Sequence, residues 1–444
     1  MLKRRWMTAF MALVLAAATA ACGNGGNNPD PGGNAGTNAG NNGGTPAPKE
    51  KTEVSFWYLW GGTEGEYVEE LIAEFNASQE LYEVKGLSVP DMQKIIVAIS
   101  SGEGPDVTDN FSNNTASYAE KGMLLALDEY IERDNYDISD FVPAALEGGR
   151  YDGKLYALPI NVNFNMMFYN KALLAEAGLD GPPKTEEELL DYAIKLTKTN
   201  DDGTLKVMGF PDYPNVYYTN SMAYAMGGDF ISEDGKTLTP DNEGMRKAIE
   251  LMQAYRSEFG ADNVVKFNSS AQYLDATDPF IQGNQAIRFD GPWFGHTVKN
   301  VLKKDIDYGV APYPAPAGKP ELAGGGEVSS STFFIPSNAK NKEGAWAFLS
   351  WLMAKENMIK FNDKFANLPA RTSAYDDPSL QDIPDFQAFA EAAKSPNLKS
   401  FPTFGEQGTY GKIITDEFEL AVNGRKTAEE AMAAMKAKSA NLLK

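Results

Sequence analysis

Glu53-Val-Ser-Phe-Trp-Tyr-Leu-Trp60 is an apolar run of strand length and β-rich residue type, and Gly61-Gly62 breaks it. Thr63 and Glu66 follow at the spacing of a capping box, ahead of Tyr67, Leu71, Ile72 and Phe75 at helical intervals. A strand that ends in a glycine turn and feeds a helix opens an α/β domain. The alternation continues downstream. Helices are predicted around Asp91–Ser101, from Thr185 with Glu188 to about Thr199, over Asn242–Phe259 and Lys342–Phe361, and from Thr427 with Glu430 to near the C-terminus. Strand-like pieces lie at Leu155–Pro159, Asn165–Tyr169, Gln285–Asp290, Tyr308–Pro312 and Thr332–Ile335. This order predicts α/β sheets, neither a sandwich nor a bundle, and no internal repeat is present.

Upstream of that strand the composition changes twice. Lys3, Arg4 and Arg5 precede an apolar run from Trp6 to Ala21 that ends in small residues, the pattern of a secretory signal over residues 1–21. Its length falls short of the roughly 20 residues that span a bilayer. Cys22, the one cysteine, follows at the cut and is expected to carry a lipid, since an exported chain otherwise pairs its cysteines. Thr19 stands where a bacterial lipobox usually has Leu, so an ordinary signal-peptidase site is the alternative. Residues 23–48 hold nine Gly, seven Asn and four Pro. Such a tract cannot bury enough apolar surface to order itself, so residues 22–52 are expected to form a disordered linker, of which 23–48 would span on the order of 28 Å.

The remaining body is too large for one ordinary core, so two domains are expected. The 444-residue chain carries a formal net charge of −21, which disfavours nucleic acid and anionic lipid as partners. A single histidine, His296, removes His-rich zinc sites and Cys/His dyads. Neither a metal nor another cofactor is expected. Twenty Tyr and six Trp, beside many neutral polar side chains, suit a neutral polyhydroxylated ligand, although aromatics are core residues first.

Several blocks, in order, resemble the family 1 extracellular solute-binding proteins of ABC transporters, the group that contains maltose-binding protein. The most specific is Tyr151-Asp-Gly-Lys-Leu-Tyr-Ala-Leu-Pro-Ile160, followed by Asn165-Met-Met-Phe-Tyr-Asn-Lys171 and Ala175-Glu-Ala-Gly178. The others are Gly104-Pro-Asp-Val107, Asp290-Gly-Pro-Trp293, Tyr308-Gly-Val-Ala-Pro312, Ala366-Asn-Leu-Pro-Ala-Arg371 and Gly424-Arg-Lys-Thr427. The resemblance implies a two-lobed periplasmic-binding-protein type II fold with hinge strands and an interlobe cleft. It divides the chain into lobe one at 53–160 plus 313–367 and lobe two at 161–312 plus 368–444. Crossings then fall near Ile160, Pro312 and Leu368.

The same resemblance implies the ligand-binding residues. Trp293 matches the block whose Trp stacks on a sugar ring; the alternative is a core Trp. Tyr217 stands where maltose-binding protein has a stacking Tyr. Asn161 and Asn163 sit at the lobe crossing, with a neutral amide where the maltose binder has Glu. Asn110 and Asn113 stand in register with its stacking Trp and an Asp, so its specificity does not carry over. Thr63 and Glu64 follow the first strand, with helix capping as the alternative role for Thr63. Trp60, Glu327, Arg371 and Tyr410 complete the set. Arg371 either faces the cleft, admitting an acidic sugar through bidentate pairing, or pairs with an acid at the crossing. Asn200-Asp201-Asp202-Gly203-Thr204 reads as a hairpin turn before a Ca²⁺ loop.

The implied function is a monomeric, lipid-anchored receptor on the outer face of a bacterial cytoplasmic membrane. It would bind a carbohydrate, an oligosaccharide foremost, and deliver it to an ABC permease without chemistry. Two other readings remain open on the residues alone. One is a secreted, carboxylate-dependent glycan-degrading enzyme. The other is a receptor for a non-sugar solute such as a polyamine, iron or a peptide.

Overall fold

Val54, Phe56 and Tyr58 point alternately inward from strand Thr52–Tyr58, the period of a strand with one face on a core. In this computed structural model, which describes residues 50–443 except 211–215 and 270–271, and only the backbone at 216, 217 and 268, that strand organises the first sheet. The signal segment, Cys22 and most of the linker lie outside the described residues. Strands Tyr82–Ser88 and Val107–Phe111 pair with Thr52–Tyr58 in parallel; Ser331–Phe334 and Ala157–Pro159 extend the sheet antiparallel. Parallel neighbours need helical crossovers, supplied here by Gly62–Ser78 and Met92–Ser101.

Most predicted helix starts occur with their caps. Asp91, Thr185 and Asn242 each accept a backbone N–H from the following turn, and Thr427 with Glu430 forms a reciprocal capping box. Two expectations need correction. The Thr63–Glu66 capping box is absent, because the helix begins at Gly62 behind an extended Gly61 that has no side chain to cap with. The Lys342–Phe361 run is two helices, Lys342–Leu352 and Lys355–Phe365, separated by an extended Ala354 at ψ 147°. Carbonyls released at that break are taken by Asn357 Nδ2, 2.7 Å from Trp351 O, and by Arg371 Nε, 2.8 Å from Met353 O.

A second sheet centres on Met166–Asn170, flanked antiparallel by Ile287–Asp290 and Tyr308–Ala311. Between the sheets Asn161–Val162 pairs with Leu368–Pro369. One hydrophobic core gathers Val54, Phe56, Phe75, Leu158, Phe333 and Trp346. Another gathers Met167, Phe210, Phe230, Tyr255, Phe289 and Phe418. The first core also takes in Phe164, Phe168, Phe294 and Phe389, so residues beyond the Asn161–Val162 pair pack into it.

Around Pro312 the chain touches both cores, Tyr308 and Val310 packing against the first and Tyr313 in the second. Tyr313 lies flat on Phe289 with centroids 4.0 Å apart, and Glu186 N donates to Ala315 O. Strand Gly326–Val328 pairs with Leu398–Ser400. Tyr313 thus packs in the second core, whereas Val328 and Leu398 pack into the first. Among the described residues no helix is long and apolar enough to cross a membrane.

Candidate binding site

The first sheet delivers its polar residues at one end. Strands Thr52–Tyr58 and Val107–Phe111 run in parallel, so Trp60 and Asn110–Asn113 emerge together at their carboxyl ends, the end at which open α/β sheets bind ligands. Ser331 pairs with Phe111 at the start of its own strand. Asn161 reaches the same point: its Oδ1 accepts Ser331 N at 2.8 Å and its Nδ2 donates to Ser331 Oγ at 3.3 Å. Asn163 and Ser329 exchange both backbone hydrogen bonds at 2.8 Å. Asn110, Asn161 and Asn163 therefore meet around the serine run Ser329–Ser331, a floor of neutral amides and hydroxyls.

Trp293 approaches from the second sheet. Strand Ile287–Asp290 runs antiparallel to Met166–Asn170, so Asp290 lies opposite Met166, three residues after Asn163. The Gly291-Pro292-Trp293 turn consequently stands at the hinge end. A Cβ on Gly291 would lie 2.3 Å from the Trp293 ring, so only glycine lets the indole fold back over the turn. Trp293 is half-buried and makes no aromatic pair among the described residues. Its Nε1 donates to Tyr273 Oη at 2.7 Å, and Tyr273 donates in turn to Asp290 Oδ1 at 2.7 Å. Asp290 Oδ2 accepts Arg288 Nε at 2.5 Å, while Arg288 Nη1 forks onto Asp278 at 2.7 and 2.9 Å.

A cavity of about 430 Å³ opens beside Glu327, two residues before the serine run. Asn113, Asn220 and Glu327 line it, with Gln407, Gly411 and Thr415 from one face of helix Gln407–Val422. Glu327 N donates to Ser221 Oγ at 3.1 Å, which ties this wall to helix Val216–Ala225. Glu327 Oε2 and Gln407 Oε1 are buried and take no partner among the described residues. Burial pushes the Glu327 carboxyl up to about 8, with the neighbouring Asn220 amide opposing the shift.

That displacement sets a pH dependence. A carboxyl that binds its proton more tightly when folded stabilises the fold fully below the ordinary value, near 4.5, and loses the contribution as pH rises through about 8. Each tenfold change in proton affinity is worth about 1.4 kcal/mol, so the wild type gives up a few kcal/mol across that window. Glu327→Gln should melt higher than wild type at pH 8–9, with the difference vanishing toward pH 4.5 (melting temperature against pH for both proteins). Asp109, also raised to about 8 by burial, acts with the same sign in both and cancels.

Other expected residues are placed as follows. Thr63 and Glu64 are exposed in the first turn of helix Gly62–Ser78, just past Trp60. Trp60 packs on Phe333 and meets the edges of Phe361 and Phe365, at the rim of the first core. Tyr217 falls in the first turn of helix Val216–Ala225, and its side chain lies outside the described residues. Arg371 does not face the site. It is buried, donating to Met353 O, Tyr136 Oη and Asp137 O beside Asp140 and over the Phe141 ring. Tyr410 is wholly buried, its hydroxyl donating to Phe230 O and its ring stacked on Phe401, because the helix turns Gln407 and Gly411 toward the cavity instead.

The Asn200–Thr204 segment is a hairpin turn closed by Asp202, which accepts Thr204 N and Oγ1. Among the described residues no cluster of three or more His, Cys, Asp or Glu suits a metal ion. Sequence reasoning missed Gln407, Gly411 and Thr415, whose four-residue spacing marks one helix face. It also missed Phe111 and Tyr273, 47% and 56% exposed, the two aromatics among the strongly exposed large apolar side chains described.

Known proteins share this fold. The maltotriose-binding protein of Pyrococcus abyssi is 28% identical over 379 residues, covering 82% of this chain and 78% of its own. The sn-glycerol-3-phosphate-binding periplasmic protein UgpB of Salmonella typhimurium is 25% identical over 406 residues, covering 86% and 90%. The solved structure of CpMnBP1 with mannotriose bound is 28% identical and superposes with a TM-score of 0.75 over 88% of this chain and 100% of that one. Such neighbours are two-lobed α/β proteins of the maltose-binding-protein type, and the present fold shares that architecture. A family model for the bacterial extracellular solute-binding protein matches residues 60–359, and the chain belongs to that family.

Proposed function

We propose that this protein is a non-catalytic receptor that captures a carbohydrate, an oligosaccharide foremost, between its lobes and hands it to an ABC import permease. The observation that carries the reading is Trp293. Its ring enters no aromatic stack among the described residues and folds back over Gly291, after a strand whose end lies opposite Met166, three residues from Asn163 in the neutral floor. A pyranose is apolar on its C–H face and hydroxylated at its edge, which is the division of surface this arrangement offers. Two relatives named for, or solved with, a trisaccharide add weight to an oligosaccharide ligand. Arg371 is fully engaged elsewhere, and Lys412 at the cavity is paired with Asp416, which favours a neutral sugar over an acidic one.

The lobes are proposed as 53–160 with 329–367 and 161–328 with 368–444, the second crossing moved past Pro312 because Tyr313 lies on Phe289 and Ala315 O accepts Glu186 N. Cleft closure would then bend the Asn161–Val162/Leu368–Pro369 pair and the Ser329–Ser331 segment, as hinge closure requires. Cys22 is proposed to carry a lipid, with the Gly/Asn tract as tether on the outer face of the cytoplasmic membrane; incorporation of radiolabelled palmitate tests that point by itself.

Titration calorimetry and thermal shift with mannotriose, maltotriose and sn-glycerol 3-phosphate, with reducing-sugar release assayed in parallel, test the receptor reading. The expected result is micromolar binding of a trisaccharide, about 8 kcal/mol, with no release of reducing ends. Binding of sn-glycerol 3-phosphate alone would overturn the carbohydrate assignment. Turnover would overturn the receptor.

A further inference from the structure

We infer that the carbohydrate this receptor captures bears a primary amine, and that the cavity beside Glu327 seats it as an ammonium against Glu327, Gln407 and Asn220. The inference rests on the carbohydrate reading above and narrows its substrate class.

The cavity holds more acceptors than donors. Glu327, Gln407 and Asn220 reach it from strand Gly326–Val328, helix Gln407–Val422 and helix Val216–Ala225, and they are 8%, 4% and 0% exposed. Glu327 Oε2, Gln407 Oε1 and Asn220 Oδ1 are buried without a hydrogen-bond partner among the described residues, and only Asn220 Nδ2 stands against them as a buried unpartnered donor. Buried polar atoms are ordinarily paired, so unpaired oxygens from three elements on one cavity point to a ligand that donates. A sugar hydroxyl donates once. An ammonium donates three times and brings the charge that a buried carboxylate needs.

The charged groups around Glu327 leave it without a cation. Lys412, on the cavity wall, gives its contacts to both oxygens of Asp416, at 2.7 and 2.8 Å. Lys399 stands beside Glu327 in strand register, but it is half-exposed and its ammonium lies 3.9 Å from Asp229. The Tyr224 phenol is pushed well above its ordinary value by burial and then by Glu327, so it stays neutral.

With no cation beside it, the Glu327 carboxyl is raised by burial to about 8 and holds its proton at mildly acid pH. Seating an ammonium breaks that O–H bond, passes the proton to the buffer and leaves a carboxylate accepting from N–H. The ligand keeps its own proton, since a primary amine is charged below about pH 8. An alkali ion would satisfy the same oxygens. The cavity, however, is about 430 Å³, the size of a small-molecule site and more than ten times the roughly 30 Å³ share of one water.

The test titrates the full chain calorimetrically, in buffers of different ionisation enthalpy near pH 6.5, with the fully deacetylated chitin trimer and cellotriose, which differ only in amine for hydroxyl. Mannotriose and maltotriose are titrated alongside. The amine trimer should bind roughly tenfold tighter than cellotriose or better, with about one proton released per molecule bound. In Glu327→Gln, which keeps the shape but cannot ionise, the preference should shrink below about threefold and the proton release vanish. The ratio of affinities is read within each protein, which cancels any change in fold, and the proton release of wild type decides the matter if the variant does not fold. Equal affinity for the two trimers, a preference without proton release, a preference that survives Glu327→Gln, or binding of mannotriose or maltotriose without the amine trimer overturns the inference and leaves the receptor intact. Thermal stabilisation of wild type but not Glu327→Gln by potassium chloride, against tetramethylammonium chloride at equal ionic strength, would give the cavity to an inorganic cation and overturn it too. If none of these trisaccharides binds, the carbohydrate reading falls and this inference with it.

Discussion

Trp293→Ala should abolish stabilisation by a bound trisaccharide while moving the unliganded melting temperature by no more than a few degrees. The two effects separate because of where the ring sits. Trp293 is half-buried, enters no aromatic pair among the described residues, and folds back over Gly291. Removing it leaves Tyr273 without one hydrogen-bond donor but opens no hole in either core. Trp346 shows the contrast: 2% exposed, packed against Tyr130 and Tyr136, with its indole on Asp134. Truncation of a central aromatic contact typically costs about 2–4 kcal/mol of binding, or roughly 30- to 1,000-fold in Kd. Micromolar affinity would become tens of micromolar to about millimolar. Calorimetry reads the loss directly, and thermal unfolding without ligand reads the control. A fall in unliganded stability by the roughly 3–5 kcal/mol typical of a core Trp→Ala change would place Trp293 in the core and deprive the receptor reading of its main support.

What the sequence discloses about this site follows the range of the interactions involved. Caps at Asp91, Thr185, Asn242 and Thr427 are settled within four residues, and they occur where the residue types put them. The Gly61-Gly62 start escaped the same reasoning because a backbone with positive φ at Gly62 begins the helix ahead of the apparent capping residue. Partners far apart in the chain were less accessible. Arg371 belongs to the turn at Met353 and to the Tyr136–Asp140 loop, more than two hundred residues upstream, and nothing in Leu-Pro-Ala-Arg reveals that direction. Tyr410 and Gln407 share a helix yet face opposite ways, a distinction that needs the helix phase. Tyr273 carries no periodicity at all; its significance comes from Asp290 and Trp293, seventeen and twenty residues later. The block around Asp290-Gly-Pro-Trp293 pointed to Trp293 as the proposed stacking ring but gave no sign of what orients it.

Arg288→Ala should be among the most destabilising single changes in the second lobe, by about 3–5 kcal/mol. Arg288 is 1% exposed, and its guanidinium bridges two buried carboxylates, Asp278 through Nη1 and Asp290 through Nε. Deleting the cation leaves both acids in a site without water to solvate them, which is the costly way to break a buried pair. For a body of this size the melting temperature should fall by roughly 5 °C. Lysine cannot restore the bridge, because a single ammonium lacks the planar fork that reaches both carboxylates at once; Arg288→Lys should therefore fall between alanine and wild type. A change below about 1 °C for the alanine protein would mean the cluster contributes nothing net. The same substitution reaches the binding surface by a second route. Asp278 pins Leu274, and Asp290 receives the Tyr273 hydroxyl whose other side holds the Trp293 indole. Affinity measured well below the melting transition, where nearly every molecule is folded, should still drop in Arg288→Ala. A loss of stability with unchanged affinity would show that the two rings keep their places without the charges beneath them, and would confine the cluster to holding up the fold.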